Sequence, residues 1–557
     1  MVKLLLLLSI WGAIFSLTFF YLKSQSRYSF LLLTIPLLTL LLSGPWIFHE
    51  IGIHKMIYSG ISESIRTQGV PPENPYFAGQ ILHYPWGGIW FNSLLRTPLS
   101  LTYGHAASLN VAIAYILFWI LSYKLSITLY RNSKTAKFAL ILATIAPTWV
   151  GPTVNGFRIL GEQARSITPA LIYERYDQWP LAWTMAVMVL LLMVQSLKKD
   201  PSLLRYISIP FLVAGSIFFY PFCLLFLLPL IGATAYLIRI DKRKRNFLIL
   251  SILMGILLVS PYLILSTTGR STQGGFSPDL HWWTVLFQLR DFTFIAIVPL
   301  VFIPWRLWKN VILITSSEKT GMEVRFLLLC TIPCMGLLFF VHFPGMTHYK
   351  LRVMTVFLLS LVAAPYFRAF FHHRKWMGIV LILLLLFPYS IEIYRDWYGN
   401  LQIHLPMKFH ADHHGRAIQQ DDQKQEAYDW IIQNTPVNSV WIDFENAYLP
   451  VFTGRSLYIA QTPTTESLFG WTMNASFFLE DTCGVPAKLI EERAKQIHIL
   501  SDAQSTSEIL KSIILQIENQ IQNRPFYSIQ SIDRPSRGHL GNKVFENKKF
   551  KIFQINP

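Results

Sequence analysis

Apolar residues in this chain run in long blocks rather than alternating. A helix needs about 17–25 mostly apolar residues to cross the hydrocarbon, and fewer where broken helices are buried by neighbours. The pattern predicts twelve such helices, at residues 2–22, 30–48, 105–130, 138–150, 179–197, 207–219, 222–237, 247–266, 292–308, 326–343, 353–371 and 376–393. The sixth and seventh are short and parted only by Tyr220-Pro221. Loop charge separates them. With a break there, Lys23/Arg27, Arg131/Lys134/Lys137, Lys198/Lys199/Arg205, Lys242–Arg245, the 306–325 connection and Arg368/Arg374/Lys375 all fall on one side. Merging the pair would scatter these basic loops over both faces, against the positive-inside rule.

The outer side then receives the N-terminus, a loop at 49–104 and everything from about 394 onward. The first apolar run is read as a helix rather than a signal peptide, being long and without a small-residue cleavage site. In the outer loop, "HEIGIHKMIYSGISESIRTQG" has the spacing of a helix lying along the interface. "GVPPENPYFAGQ" is a turn, because Pro71, Pro72 and Pro75 deny it regular helix. "LHYPWGGIWFNSLLRTPLSLTYG" is semi-apolar and reads as a re-entrant or interfacial segment. Past the last block, strand-like "SVWID" and "SLYIA" alternate with helical "DDQKQEAYDWIIQNTP" and "KLIEERAKQIHIL". The expectation is a helical membrane domain over 1–393 and an extracytoplasmic α/β domain over 394–557.

Composition agrees with the blocks. Of 557 residues, 52% are hydrophobic and only 14% charged, where soluble domains carry about 25%. The formal net charge of +17 belongs to loops that hold orientation against anionic lipid, and no nucleic-acid partner is expected. Cys223, Cys330 and Cys334 lie in apolar runs and Cys483 has no evident partner, so no disulfide framework is expected.

Candidate chemistry gathers on the outer side. Glu50 and His54 are four apart and share a helix face just beyond the second block. A charge in the hydrocarbon costs about 2.5–3.5 kcal/mol on insertion scales, so an acid at its edge asks for a reason. Low dielectric there raises a carboxyl pKa toward that of a usable base. Glu73, in the rigid "PPENP" turn, is a second acid, and Glu50 with Glu73 could hold a divalent cation, Mg²⁺ or Mn²⁺, through oxygen. The next long outer connection brings Arg165, suited to a phosphate, and Asp177. "HFPGMTHYKLR" carries His348, Lys350 and Arg352 outward, against the positive-inside trend. "HLPMKFHADHH", around His410, matches no tight metal-ligand spacing. There is no nucleotide-binding glycine loop, nucleophile–base triad or CxxC pair.

Three stretches carry a resemblance: Glu50 and His54 followed by "GVPPENPYFAGQILHYPWGG", "ARSITPALIYERYDQWP" before a span, and "EAYDWIIQNTPVNSVWIDFENAYLPVFTGRSLYIAQT". Together they resemble the C-type (GT-C) polytopic membrane glycosyltransferases, including their YYY-like subgroup. The resemblance implies transfer of a sugar from a polyprenyl-phosphate donor to a glycan, lipid or protein acceptor at the outer face of a membrane, such as the bacterial inner membrane. Where that family carries an Asp in its first loop, this chain has Glu50, and an extra hydrophobic run precedes it. The implied roles are Glu50, His54 and Glu73 in catalysis, with Glu50 and Glu73 beside any cation. Arg165, Asp177, His348, Lys350 and Arg352 would bind substrate, and Tyr84 and Trp86 would stack on the sugar. The rival readings are a lipid or solute transporter, for which the Tyr220-Pro221 break speaks, and a non-catalytic assembly protein.

Overall fold

The computed structural model describes residues 53–99, 103–145, 179–198, 203–237, 241–267, 277–278, 299–303, 322–342, 348–381, 409–411, 417–419, 422–444, 448–460, 478–502, 505–533 and 541–555. Two helices come first, α1 (Ile53–Gln68) and α2 (Gly87–Leu99). Apolar helices follow: α3 (Tyr103–Tyr130), α4 (Ser133–Ile145), α5 (Trp179–Lys198), α6 (Leu203–Phe219), α7 (Cys223–Leu237), α8 (Lys242–Thr267), α9 (Met322–Phe340) and α10 (His348–His373). Four amphipathic or short helices are α11 (Asp422–Asn434), α12 (Leu449–Thr453), α13 (Ala487–Ser501) and α14 (Ser507–Gln520). Among them run β1 (Val440–Asp443), β2 (Ser456–Leu457), β3 (Phe526–Ser531), β4 (Asn542–Glu546) and β5 (Phe550–Ile555). The chain divides into two compact units, one of residues 1–48, 108–263 and 275–400, the other of 49–107, 264–274 and 401–557.

The first unit is a bundle of apolar helices. Among the described residues, four helices, at 109–130, 180–197, 242–266 and 354–373, are long and apolar enough to cross a membrane. This is a polytopic helical membrane protein. The expected spans at 2–22 and 30–48 lie outside the described residues, as do most of 292–308 and 376–393. The break at Tyr220-Pro221 is real. Helix α6 stops at Phe219, a turn closes with Cys223 N donating to the Tyr220 carbonyl (3.0 Å), and α7 begins. Proline cannot donate in a helix interior and clashes with the turn before it, which fixes the stop.

Aromatic rings and small polar bonds hold the bundle. Trp183 of α5 lies edge-on to Phe226 of α7 (5.0 Å) and Phe357 of α10 (5.7 Å). Tyr130 donates to the Leu361 carbonyl (2.6 Å), and Thr184 to those of Ala114 (2.9 Å) and Pro180 (2.7 Å). Each such bond satisfies a polar group that lipid could not.

In the second unit a five-stranded sheet runs in the order β2-β1-β3-β5-β4. β1 is parallel to β2 and β3, whereas β5 is antiparallel to β3 and β4. All four residues of β1 are buried, as expected of a central strand covered on both faces. Trp441 stacks on Tyr527 across the pair (4.8 Å, 15°). Buried Arg455 donates to the Ile432 and Thr435 carbonyls at the end of α11, where α-helical carbonyls lack partners.

The outer-loop helix departs from its expectation. Ile57, Ile61 and Ile65 are buried, but so are Ser62, Glu63 and Ser64, because α1 is wrapped by α2 and α12 of the same unit rather than lying along an interface. Its buried charge is matched: Glu63 takes Arg96 Nη1 (2.5 Å) and Arg66 Nε (2.8 Å). Within the 82–104 segment, read as re-entrant or interfacial, residues 87–99 form α2, whose Ile89, Phe91 and Leu95 are buried within the unit. Gly454 ends α12 in the left-handed region (φ +69°), where a Cβ would press on Thr67 and Glu63.

Close packing of α6 on α8 makes a prediction. A Cβ at Gly255 would fall 2.6 Å from both the Pro210 carbonyl and Val213 Cβ. Gly255→Ala should destabilise the protein by about 1–3 kcal/mol, read as a lower melting temperature in detergent; an unchanged midpoint would contradict this packing.

Candidate functional site

The best-defined feature around the first outer loop is the turn that joins α1 to α2. Its prolines rule out helix, and Gly69 (φ +96°) and Gly79 (φ +80°) supply the left-handed conformations that close it. Asn74 holds the centre: its side chain accepts from Tyr76 N (3.0 Å), and its backbone N donates to Gln80 (2.8 Å). The turn then pairs with the β2 edge. Leu457 N donates to the Pro75 carbonyl (2.8 Å), Ala78 N to the Leu457 carbonyl (2.8 Å), and Ala460 N to the Tyr76 carbonyl (2.9 Å).

Two arginines clamp this pairing. Arg493 of α13, 2% exposed, lies between two rings, its Cζ 4.0 Å from the Phe77 centroid and 4.4 Å from that of Tyr458. Its Nη1 donates to the Ala78 (2.8 Å) and Tyr458 (2.6 Å) carbonyls. Burial pulls its pKa down from the arginine range to about 10, while Tyr458, Glu492 and Glu73 act the other way, so it stays a cation at neutral pH. Arg524 Nη1 donates to both Glu73 oxygens (2.7 and 2.9 Å), and Gly79 N adds a third bond to Oε1 (2.8 Å).

That arrangement corrects one expectation. Glu73, read as an auxiliary acid and cation ligand, has its carboxylate committed to Arg524 and to its own turn. It serves as a docking group. Trp86, expected to stack on the sugar, is 7% exposed and packs in the core of the unit. Among the described residues there is no group of three or more His, Cys, Asp or Glu that could hold a metal ion.

At the other end of α1 the expected chemistry is partly in view. His54 lies in the first turn, and Tyr58 follows four residues later on the same face. The Tyr58 and Tyr84 hydroxyls are hydrogen-bonded (2.8 Å), which ties the 80s segment to α1. Neighbouring His83 donates from Nδ1 to the Leu265 carbonyl (3.0 Å). A carbonyl only accepts, so this bond needs a proton on Nδ1. Glu50, Arg165 and Asp177 lie outside the described residues. His348, Lys350 and Arg352 fall in the first turns of α10, in the other unit, with His348 and Arg352 on one helix face.

Sequence reasoning missed Arg493, Arg524, Tyr58 and Tyr76. For Arg493 a signal existed: it occupies an inward position of the stripe Ile490, Ile497, Leu500, where an apolar residue is the norm. Arg524 carried none, as its partner is 451 residues away.

No family model and no curated protein matches the sequence. The fold is similar to crystal structures of ArnT from Cupriavidus metallidurans bound to undecaprenyl phosphate and in the apo state. Each has a TM-score of 0.53 and 13% identity, over 95% of this chain and 98% of ArnT. A crystal structure of the Archaeoglobus fulgidus oligosaccharyltransferase with zinc and sulfate is also similar, with a TM-score of 0.46 and 12% identity, over 90% of this chain and 68% of that one.

The clamp predicts non-additive losses. Glu73→Gln and Arg524→Ala should each cost about 1.5–3 kcal/mol, and the double variant little more than the worse single. Thermal unfolding of all four proteins checks this, and additive losses would remove the ion pair from the account. The expectation of a GT-C-like fold is met: this chain has the fold of ArnT.

Proposed function

We propose that the chain is a membrane glycosyltransferase that moves a sugar from a polyprenyl-phosphate-linked donor to an acceptor hydroxyl at the outer face of a bacterial inner membrane. The observation that carries this reading is the likeness to ArnT over 95% of the chain, one ArnT structure holding undecaprenyl phosphate. The reaction needs three things from the protein. The acceptor oxygen attacks the anomeric carbon, the bond from that carbon to the phosphate oxygen breaks, and the electron pair leaves with the phosphate. Cations must stabilise the departing charge, a base must take the acceptor proton, and apolar walls must hold the polyprenyl tail.

Glu50 is assigned as the base. His54, four residues on in the sequence, is assigned to orient that carboxylate or pass its proton on. Arg165, Lys350 and Arg352 are assigned to the phosphate, with His348 and Asp177 supporting substrate binding. Tyr84 contributes a half-buried ring and a hydroxyl bonded to Tyr58 of α1. Arg524 and Gly79 already make three bonds to the Glu73 carboxylate, so a divalent cation there would have to displace that ion pair. A cation would therefore rest on Glu50 and substrate oxygens, and no step is routed through it. The acceptor's class, whether glycan, lipid or protein, follows from transfer assays.

Purified protein offered a panel of polyprenyl-phosphate-linked sugars should transfer one of them. Glu50→Gln should lower turnover by about 10²–10⁴-fold, the usual worth of a general base, without reducing the yield of folded protein. Undiminished turnover in that variant would refute the assignment.

A further inference from the structure

Tyr76 stands where the docked turn meets α1. It is fully buried. Its backbone belongs to the turn: N donates to Asn74 Oδ1 (3.0 Å), and its carbonyl accepts from Ala460 N beside the sheet (2.9 Å). Its side chain leaves the turn for the helix. The hydroxyl donates to the Ile57 carbonyl (3.2 Å), one turn into α1, and the ring lies edge-on to Phe478 (5.7 Å, 81°). Burial raises its pKa well above the usual tyrosine value, with Cys483 adding to the shift, so the hydroxyl keeps the proton it donates.

Gly60 is shaped to this ring. A Cβ there would overlap the Tyr76 hydroxyl, lie 3.0 Å from its Cζ, and press on Pro450 Cβ at 3.4 Å. The glycine is therefore a slot, and the ring in it fixes the height of α1 against the turn. The turn is fixed in its own right by three backbone bonds to the β2 edge, by Arg493 and by Arg524. A rigid path runs from sheet to turn to ring to the amino end of α1.

We infer that Tyr76 is a positioning residue for the transfer reaction, setting the start of α1, with His54 in its first turn and Glu50 three residues before it, in register with the α/β sheet. This rests on the function proposed above. Orientation is a large share of catalysis, and a misplacement of about 1 Å far from the chemistry can cost about 10²-fold. A side chain that only filled the core would affect how much protein folds, not how fast the folded protein turns over.

The test separates these. Tyr76→Phe keeps the ring and removes the hydroxyl that donates to Ile57. It should lower kcat about tenfold, with KM for donor and acceptor little changed and the folded yield preserved. Amide exchange over residues 53–60 should quicken while that of β3 holds. Gly60→Ala should lower kcat further, and adding Tyr76→Phe to it should recover part of that loss by removing the overlapping hydroxyl. Tyr527→Phe, a buried hydroxyl deletion on β3, should leave kcat unchanged. An unchanged kcat in Tyr76→Phe, or unchanged exchange at 53–60, would overturn the inference while leaving the function standing. Absence of transfer by the unaltered protein would instead overturn the function, and the positioning role with it.

Discussion

An unpaired sheet edge is the constraint on which the second unit depends. β2 hydrogen-bonds to β1 on one side only, and buried amides and carbonyls without partners are costly. The chain solves this with a segment from nearly 400 positions earlier, whose turn gives Pro75, Tyr76 and Ala78 to the exposed side of 456–460. Prolines restrict that turn before it docks, and Gly69 and Gly79 supply the left-handed conformations that close it. Arg493 and Arg524 then fasten it with charge, one by stacking and carbonyl bonds, the other through Glu73. The turn at 69–80 is thus part of the α/β fold rather than an attachment to it.

The helical unit obeys a different economy. Lipid tails are as apolar as leucine, so apolar burial drives helices together less than fit does. Here fit comes from rings and small residues. Trp183 wedges between Phe226 and Phe357, and Gly255 lets α8 approach Pro210 and Val213. Hydroxyls such as Thr184 and Tyr130 spend themselves on backbone carbonyls.

What the sequence made legible follows from the range of each interaction. Helices α3, α5, α6, α7 and α8 could be read because apolar blocks and Tyr220-Pro221 act locally, and β1 and α11 because their periods differ. The turn was legible from Pro71, Pro72 and Pro75. Its destination was not, since nothing near Glu73 announces Arg524. The stripe of Ile57, Ile61 and Ile65 reads equally well against lipid or protein, and only the buried Glu63–Arg96 pair, 33 residues apart, decides for protein. Of the candidate chemistry, Tyr84 is bonded to Tyr58 of α1, Glu73 is paired with Arg524, and Trp86 is buried. Tyr58 and Tyr76 were unreadable because a tyrosine's role lies in where its hydroxyl ends.

Amide exchange on the intact protein tests the docking of the turn most directly. Leu457, Ala78 and Ala460 should be protected to the same degree as Trp441 and Tyr527 in the middle of the sheet. Exchange at those three amides as fast as in an open loop would mean that the edge is not closed by this turn, and the account of the outer loop would fail.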